Sequence, residues 1–380
     1  MQSDESNQRA RVPALMLPGG GARGAYQVGA VRAIHELAGG QENPFPIIVG
    51  TSAGAINAAV LASHAHEFGH GLDRLEHFWR EMRCESIYRT DWPGVLKSGL
   101  HWLAAMAFGR LGFPSPASLL DTSPLRRLLE RETRLEGIGK AIEADALRAA
   151  AVTASGYTSA KAISFYQAAK TEDWVRPRRI GRRQDLTVAH LMASAALPLL
   201  FPASLVGKEY FGDGGLRQTA PLSPAIHLGA ERILIISTRD ERPDPEPAEV
   251  PRHPSIGDIG GYMLDVVFMD NLQADLDRLQ RINRTLQLIE GDRREEAELR
   301  HIETLIIRPS CDVRDITARH KAAIPGSVKA LLAGVGAWRE DDSRLPSYLL
   351  FDRGYCRELI ELGHADAMAQ EAEIRAFLNC

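Results

Sequence analysis

Ser52 lies at the centre of the pentapeptide Gly-Thr-Ser-Ala-Gly, residues 50–54, with an apolar run on each side, at 45–49 and 55–61. This order predicts a strand, a tight turn and a helix, because the two glycines allow a sharp bend and a close approach of strand to helix. A serine at the apex of such a turn is typical of an acyl-transfer nucleophile. The start of the helix adds a positive dipole end beside the charge that develops there.

A second glycine cluster, Gly-Gly-Gly-Ala-Arg-Gly at 19–24, follows a predicted strand at 12–17 and precedes a helical pattern. Consecutive glycines allow several backbone N–H groups to point at one position. Such a cradle stabilises an oxyanion in the transition state, and the loss of one donor typically costs about two to three orders of magnitude in rate. The cluster is therefore a candidate oxyanion hole.

The same loop fits a different function as well. Gly19, Gly21 and Gly24 have the spacing of the dinucleotide fingerprint, which requires an acidic residue about 20 positions further on, at the end of a strand. Glu42 lies near that distance, but the next predicted strand begins only at 45, so this acid falls in the preceding loop. A dinucleotide-binding oxidoreductase is thus the alternative that this loop leaves open.

Asp213 lies between Gly212 and Gly214, after strand-like stretches at 204–206 and 209–211. Asp-Gly is common in hairpin and Asx turns, so one interpretation is purely structural. The other is catalytic, because a carboxylate within hydrogen-bond reach of a serine hydroxyl can accept its proton as a general base. The nucleophile turn and the donor loop both lack a base, which favours the catalytic interpretation.

Four motifs follow one another along the chain: residues 19–24, Gly-Thr-Ser-Ala-Gly at 50–54, Ala-Ser-Ala-Ala-Leu-Pro at 193–198, and Asp-Gly-Gly at 213–215. In this order they resemble the signatures of patatin-like phospholipases, over roughly residues 12–238. Four motifs in one order are far more specific than any one of them.

The resemblance implies a Ser-Asp dyad without histidine, in which Ser52 is the nucleophile and Asp213 the general base. It also implies a three-layer α/β/α sandwich, lipid acyl esters as substrates, and no metal or other cofactor. The remaining site residues that it implies are the oxyanion donors Gly20, Gly21 and Ala22, Arg23 as a brace of the glycine loop, and the supporting glycines Gly50, Gly54, Gly214 and Gly215.

Two alternatives concern the catalytic arrangement. A Ser-His-Asp triad would need a histidine, and His190 and His227 lie in the nearest segments, where helix faces are the simpler positions. In α/β-hydrolases the histidine follows the acid, and His301, His320 and His364 come late enough, although none has distinctive neighbours. A non-catalytic module that binds lipid or protein is the other alternative.

Composition excludes some classes of function. The net charge of −4 gives no basis for broad nucleic-acid binding. The four cysteines have no C-x-x-C spacing, which argues against zinc or a disulfide framework. The sequence suggests no signal peptide and no apolar run of the roughly 20 residues that a membrane span needs. We therefore expect a cytoplasmic protein that can make peripheral contact with a membrane.

The order of predicted elements indicates an α/β fold with a mostly parallel central sheet, because residues 12–64 have a βαβ pattern. Residues 12–238 would form the patatin-like catalytic domain and 239–255, rich in proline and charge, a linker. Residues 256–380 would form a mainly helical C-terminal extension that packs on the catalytic domain, and a strand at 304–308 could join the same sheet.

Three further segments have predicted roles. Residues 70–150 are mainly helical and would cap the pocket. The apolar stretch 100–108, with Trp102 and Phe108, is either a buried core helix or a surface helix that touches lipid. The basic stretch 176–183 would be a proline-interrupted loop whose arginines either face solvent or contact phosphate headgroups.

Overall fold

The structure is a computed structural model that describes residues 11–95, 99, 101, 118–240, 253–289, 299–339 and 343–379. Most of the apolar stretch 100–108, including Trp102 and Phe108, and most of the predicted linker lie outside the described residues.

Ten strands of the described chain form one mixed sheet. They are β1 (Pro13–Leu17), β2 (Ile47–Thr51), β3 (Ala149–Gly156), β4 (Ala162–Ala168), β5 (Trp174–Arg176), β6 (Arg179–Arg183), β7 (Ser204–Val206), β8 (Glu209–Asp213), β9 (Arg232–Ile236) and β10 (Glu303–Ile307). Their order is β10-β9-β1-β2-β3-β4-β6-β5, with β8 on β3 and β7 on β8. The strands from β10 to β3 pair in parallel, whereas β4 and β8 are antiparallel to β3. The strand expected near 304–308 is present as β10.

The described helices flank this sheet. They are α1 (Ala25–Leu37), α2 (Ala53–Ser63), α3 (Phe68–Arg80), α4 (Cys84–Ile87), α5 (Ser123–Glu132), α6 (Glu136–Glu143), α7 (Val188–Ser194), α8 (Ser223–His227), α9 (Ile256–Asp265), α10 (Asn271–Leu288), α11 (Val313–His320), α12 (Gly326–Gly334), α13 (Arg344–Leu349), α14 (Arg353–Ala369) and α15 (Glu371–Leu378). A π-helical turn, Val266–Asp270, joins α9 to α10.

Side chains of the central strands alternate between two apolar cores, one on each face of the sheet. In β1, Leu15 and Leu17 belong to the first core and Ala14 and Met16 to the second. Helices α1, α2, α3 and α14 contribute to the first core, and α8 and α10 contribute to the second. Because side chains alternate with a period of two, a sheet buried on both faces produces this division. The expected three-layer α/β/α sandwich is confirmed.

Helix α14 lies directly against α1. A methyl group at Gly29 would overlap the carbonyl oxygen of Ile360, and one at Gly363 would overlap that of Tyr26. The Tyr26 hydroxyl donates a hydrogen bond to Asp366 Oδ2 at 3.0 Å. Glycine at both crossing points therefore allows the two backbones to approach, and the C-terminal segment is attached to the N-terminal part of the chain.

The basic stretch 176–183 differs from the sequence-based prediction, because it is not an irregular loop. Strands β5 and β6 form a hairpin in which Arg176 pairs with Arg179, and β6 pairs with β4. The polar sequence concealed these strands, since β5 at the edge of the sheet and β6 next to it tolerate exposed charges that the central strands do not.

We predict that Gly29→Ala destabilises the fold by about 1–3 kcal/mol or more, because the added methyl group meets backbone that cannot move aside. Urea unfolding measures the change. Gly139→Ala in α6 is the matched control: nothing lies within 4 Å of its added methyl group, so we expect a neutral or slightly stabilising effect. Equal effects of the two variants would contradict close packing of α14 on α1.

Candidate active site

Ser52 occupies the turn between β2 and α2, and the backbone there is strained. Its φ of 57° and ψ of −127° lie in a region that residues other than glycine rarely adopt. A side chain at Gly50 would overlap the backbone at Gly54, and one at Gly54 would overlap the carbonyl oxygen of Leu17. The two glycines therefore let the turn close tightly above β1, and Ser52 is 2% exposed.

Asp213, the last residue of β8, is fully buried beside Ser52. Its Oδ1 accepts a hydrogen bond from the Gly215 N–H at 2.9 Å, while Oδ2 has no hydrogen-bond partner among the described residues. Burial raises the pKa of Asp213 to about 7, although the nearby Ser52 hydroxyl and the Gly215 N–H favour the charged form. A carboxyl with this pKa is available as a base near neutral pH.

Strand β3 brings these two residues together. Thr153 pairs with Thr51 at the end of β2, and the next residue, Ala154, pairs with Asp213 at the end of β8. Because β4 occupies the other edge of β3, strands β2 and β8 lie end to end along one edge. The two strands therefore deliver Ser52 and Asp213 to the same place.

Ser194, at the end of α7, connects the nucleophile turn to β3. Its Oγ accepts a hydrogen bond from the Ser52 N–H at 2.8 Å and donates one to the Thr153 carbonyl at 2.7 Å. Two residues later, the Ala196 carbonyl accepts the Asp213 N–H at 2.9 Å. The motif at 193–198 thus contacts the backbone of both candidate dyad residues. No role for Ser194 was predicted from the sequence, although a lone hydroxyl in an alanine-rich stretch is a signal of a buried hydrogen bond.

A second polar connection supports the same arrangement. The Thr51 hydroxyl donates to Gln218 Oε1 at 2.7 Å, and the Gln218 amide reaches Thr153 Oγ1 at 3.4 Å. The sequence carries no signal for Gln218, because its contacts depend on the pairing of β2 with β3.

The glycine loop lies against Ser52. Gly21 has a φ of 57°, and a side chain there would overlap the carbonyl oxygen of Tyr348. A methyl group on Gly19 would come within 3.0 Å of Ser52 Cβ and would overlap the ring of Phe268. The backbone of Gly20, Gly21 and Ala22 is therefore near the nucleophile, and their role as oxyanion donors stays a prediction.

Arg23 is buried and anchors this loop to the C-terminal segment. Its Nε and Nη2 donate to Ser347 Oγ at 2.9 and 2.6 Å, and its Nη1 lies 3.5 Å from Asp265 Oδ1. The guanidinium stacks on the Tyr348 ring, whose hydroxyl donates to the same Asp265 oxygen at 2.6 Å. These partners carry no local sequence signal.

Gly214 and Gly215 follow Asp213 where space is restricted. A methyl group at Gly214 would overlap the carbonyl oxygen of Thr153, and one at Gly215 would come within 2.8 Å of Val267. The Asp-Gly-Gly motif therefore lets the chain pass between β3 and the π-helical turn.

An apolar cavity of about 30 Å³ adjoins Ser52. Apart from Ser52, the described residues that line it are apolar, among them Phe78, Trp79, Leu125 and Phe351. The predicted helical cap at 70–150 thus contributes side chains to this cavity from α3 and α5.

The alternative triad has little support in this geometry. His190 Nδ1 accepts the Thr187 N–H at 2.9 Å, and burial lowers its pKa to about 4. His227 Nδ1 contacts the Ser223 carbonyl at 2.8 Å, and its ring stacks on Trp174. Neither set of contacts includes the candidate dyad, and no described residue that lines the cavity is a histidine.

The dinucleotide alternative fails on the position of its acid. Glu42 is exposed and precedes β2, which begins at Ile47. The glycine loop follows the C-terminal end of β1, which is parallel to β2. Glu42 is therefore at the N-terminal ends of the strands, opposite to the glycine loop, where it cannot hold the ribose of a dinucleotide bound at the loop.

Among the described residues, no group of three or more His, Cys, Asp or Glu could hold a metal ion. None of the helices there has both the length and the apolar character required to cross a membrane.

Comparisons with known proteins add one informative match. A family model described as patatin-like phospholipase matches residues 15–226. The structure of VipD from Legionella pneumophila matches with a TM-score of 0.37 and 12% identity, over 96% of this chain and 67% of that chain. Full-length ExoU in complex with SpcU, from the type III secretion system of Pseudomonas aeruginosa, matches with a TM-score of 0.27 and 16% identity, over 95% of this chain and 77% of that chain. A comparison with curated proteins found no match.

We predict that Ser194→Ala lowers the free energy of unfolding by about 1–3 kcal/mol, because the buried Ser52 N–H and Thr153 carbonyl lose a partner. Ser164→Ala is the control, since Ser164 Oγ contacts the Thr153 hydroxyl and not the Thr153 carbonyl. In this variant the Thr153 hydroxyl retains its hydrogen bond from the Gln218 amide. Urea unfolding of both variants measures the difference, and equal losses would argue against the bridge through Ser194.

We also predict that Asp213 makes the fold less stable as the pH rises. Its pKa of about 7 in the folded state exceeds the value near 4 of an unfolded chain, so the folded state holds a proton that the unfolded state has lost. The contribution of this residue to the free energy of unfolding is fully present below about pH 4 and is lost as the pH rises from about 4 to about 7.

Asp213→Asn should therefore gain stability relative to the parent protein between pH 5 and pH 8, by up to about 3 kcal/mol. Denaturant unfolding at both values measures this. Asp277→Asn, at an exposed position of α10, is the control and keeps the parent trend. A constant difference between Asp213→Asn and the parent protein at all pH values would contradict the raised pKa.

Proposed function

Because the chain belongs to the patatin-like phospholipase family, whose model matches more than half of it, we propose that it is a serine hydrolase of lipid acyl esters. Family membership supports the broad class, a lipid hydrolase. The finer proposal is that cleavage proceeds through an acyl-enzyme on Ser52, with Asp213 as general base. We further propose that residues 12–238 form the catalytic domain and 256–380 an extension, and that the protein contacts membranes peripherally.

The observation that carries the proposal is the buried carboxyl beside the strained serine. Asp213 Oδ2 has no hydrogen-bond partner among the described residues. A buried polar atom without a partner lowers stability, and a catalytic role is one explanation for keeping it. Its pKa of about 7 suits a group that takes a proton and returns it during one turnover near neutral pH.

In the proposed mechanism, Ser52 Oγ attacks the ester carbonyl carbon while Asp213 takes the hydroxyl proton. The carbonyl oxygen becomes an oxyanion, which the N–H groups of Gly20, Gly21 and Ala22 stabilise together with the N-terminal end of α2. The C–O bond to the leaving alcohol then breaks, and Asp213 returns the proton to that alcohol. A water molecule repeats the sequence on the acyl-enzyme, with Asp213 again as base, and releases the fatty acid and free Ser52.

The apolar cavity is the proposed site of the acyl chain. Its lining removes alkyl surface from water, at about 0.8 kcal/mol for each buried CH₂ group. A volume of about 30 Å³ is far below the roughly 300–1,000 Å³ of typical ligand pockets, so a long acyl chain requires Phe78, Leu125 or their neighbours to move.

We predict that a soluble fluorophosphonate labels Ser52, and that intact-mass and peptide mass spectrometry detect the adduct. Ser52→Ala abolishes labelling, and Asp213→Asn slows it by about 10²–10⁴-fold because the general base is lost. The rate rises with pH up to about 7 and then levels off, since the base must be unprotonated. Release of fatty acids from a mixed lipid extract tests the substrate class.

Ser63→Ala, at the other end of α2, is the matched control, because this buried hydroxyl contacts only the Val60 carbonyl and His64 in the described chain. It should label at the parent rate. Unchanged labelling of the Asp213→Asn variant, or labelling at another serine, would refute the proposed dyad.

A further inference from the structure

The β7–β8 hairpin carries exposed apolar side chains next to the candidate site. Leu205 and Tyr210 form a cross-strand pair and are 51% and 57% exposed. Tyr157, 54% exposed, donates its N–H to the Tyr210 carbonyl at 3.0 Å. Asp213 ends the same strand, and its charge, after burial, contributes to raising the pKa of Tyr157. The three exposed side chains therefore lie on β8, which ends at Asp213, or on or directly after a strand beside it.

The β5–β6 hairpin brings positive charge to the same end of the strands, on the side of β3 opposite to β8. The Arg178 carbonyl in its turn accepts the Ala162 N–H at 2.9 Å, and Ala162 pairs with Ser155 near the end of β3. Arg176 and Arg178 are exposed, and neither forms an ion pair with a carboxylate of the described chain. The turn therefore lies two strands from the Tyr157 end of β3, about 10 Å away at the usual strand spacing.

Arg178 occupies a backbone position that favours a smaller residue. Its φ of 64° follows Pro177 in the two-residue turn, a place where glycine or asparagine is usual. Such a conformation in a non-glycine residue costs of order 1 kcal/mol. An arginine that is strained, exposed and without a carboxylate partner in the described chain is more readily explained by a partner outside the chain than by stability.

The positive potential of this region is local. Arg182 and Arg183, further along β6, are exposed as well. Lys208 adds an exposed cation at the tip of the β7–β8 hairpin. The whole chain, in contrast, has a net charge of −4. The patch is therefore an exception to the charge of the molecule and complements an anionic surface.

Aromatic and basic side chains together are typical of residues at a membrane–water interface. We propose that Tyr157, Leu205, Lys208, Tyr210, Arg176 and Arg178, here called the edge patch, dock the protein on an anionic lipid bilayer. This inference rests on the proposed function. Docking through the edge patch would turn the C-terminal ends of β2 and β8, and with them Ser52, toward the membrane that supplies the lipid ester.

The test is co-sedimentation of the full-length protein with phosphatidylcholine vesicles and with vesicles that also contain phosphatidylglycerol. The parent protein should bind the anionic vesicles more tightly, and added salt should weaken this binding. Each cation at an anionic surface contributes about a factor of five, so Arg176→Gln/Arg178→Gln should bind about 25-fold more weakly. Tyr210→Ser should also weaken binding, through loss of apolar contact.

The double variant Arg134→Gln/Lys140→Gln is the matched control. It removes two exposed cations beside α6, which packs at the Ser63 end of α2, away from Ser52. It should bind vesicles like the parent protein. Parent-like binding of Arg176→Gln/Arg178→Gln, no binding of the parent protein to anionic vesicles, or equal weakening in the control would each overturn the proposal.

Labelling with the soluble fluorophosphonate separates this inference from the proposed function. Arg176→Gln/Arg178→Gln should label Ser52 at the parent rate, because the probe reaches the site without a membrane. Absence of labelling in every protein would refute the proposed function, whereas normal labelling with unaltered vesicle binding would refute the edge patch alone. A protein that binds the edge patch in place of vesicles would also overturn the lipid assignment.

Discussion

The candidate active site depends on the register of β3. This strand pairs with β2 as far as Thr153 and with β8 from Ala154, so two consecutive residues align Thr51 and Asp213. A slip of one residue in either ladder would reverse the faces of the side chains and separate the carboxyl from Ser52. The hydroxyl of Ser194 and the carbonyl of Ala196 contact the two sides of this junction. The position of Ser52 relative to Asp213 therefore depends more on strand pairing than on the conformation of a loop.

The same junction contains groups that do not favour stability. Ser52 holds a backbone conformation that is rare outside glycine, and Asp213 holds a carboxyl oxygen without a hydrogen-bond partner in the described chain. Strained backbone and buried unpaired groups each cost on the order of 1–3 kcal/mol. The two apolar cores, which bury the central strands on both faces, stabilise the fold enough to retain them. Burial is also what raises the pKa of Asp213, the candidate base.

The C-terminal segment contacts the glycine loop of the candidate site. Arg23 reaches Asp265 and Ser347, which are 242 and 324 positions further along the chain, and Gly21 lies under Tyr348. These partners lie beyond residue 226, where the family match ends. A truncation at that point would therefore leave the glycine loop without its buried ionic anchor, and α1 without the helix that covers it.

The sequence by itself determined the local elements and singled out the candidate site residues. Glycine spacing around Ser52 and Asp213 and the apolar runs before each motif predicted the strand–turn–helix, because these features depend on neighbours in the chain. The resemblance carried by the order of the motifs implied the layered α/β fold. The tertiary structure decided the contacts of Ser194, Gln218, Asp265 and Ser347, and it turned the arginine-rich loop into a hairpin. Those features depend on strand pairing and burial between distant segments, for which a polar residue in a sequence carries no periodic signal.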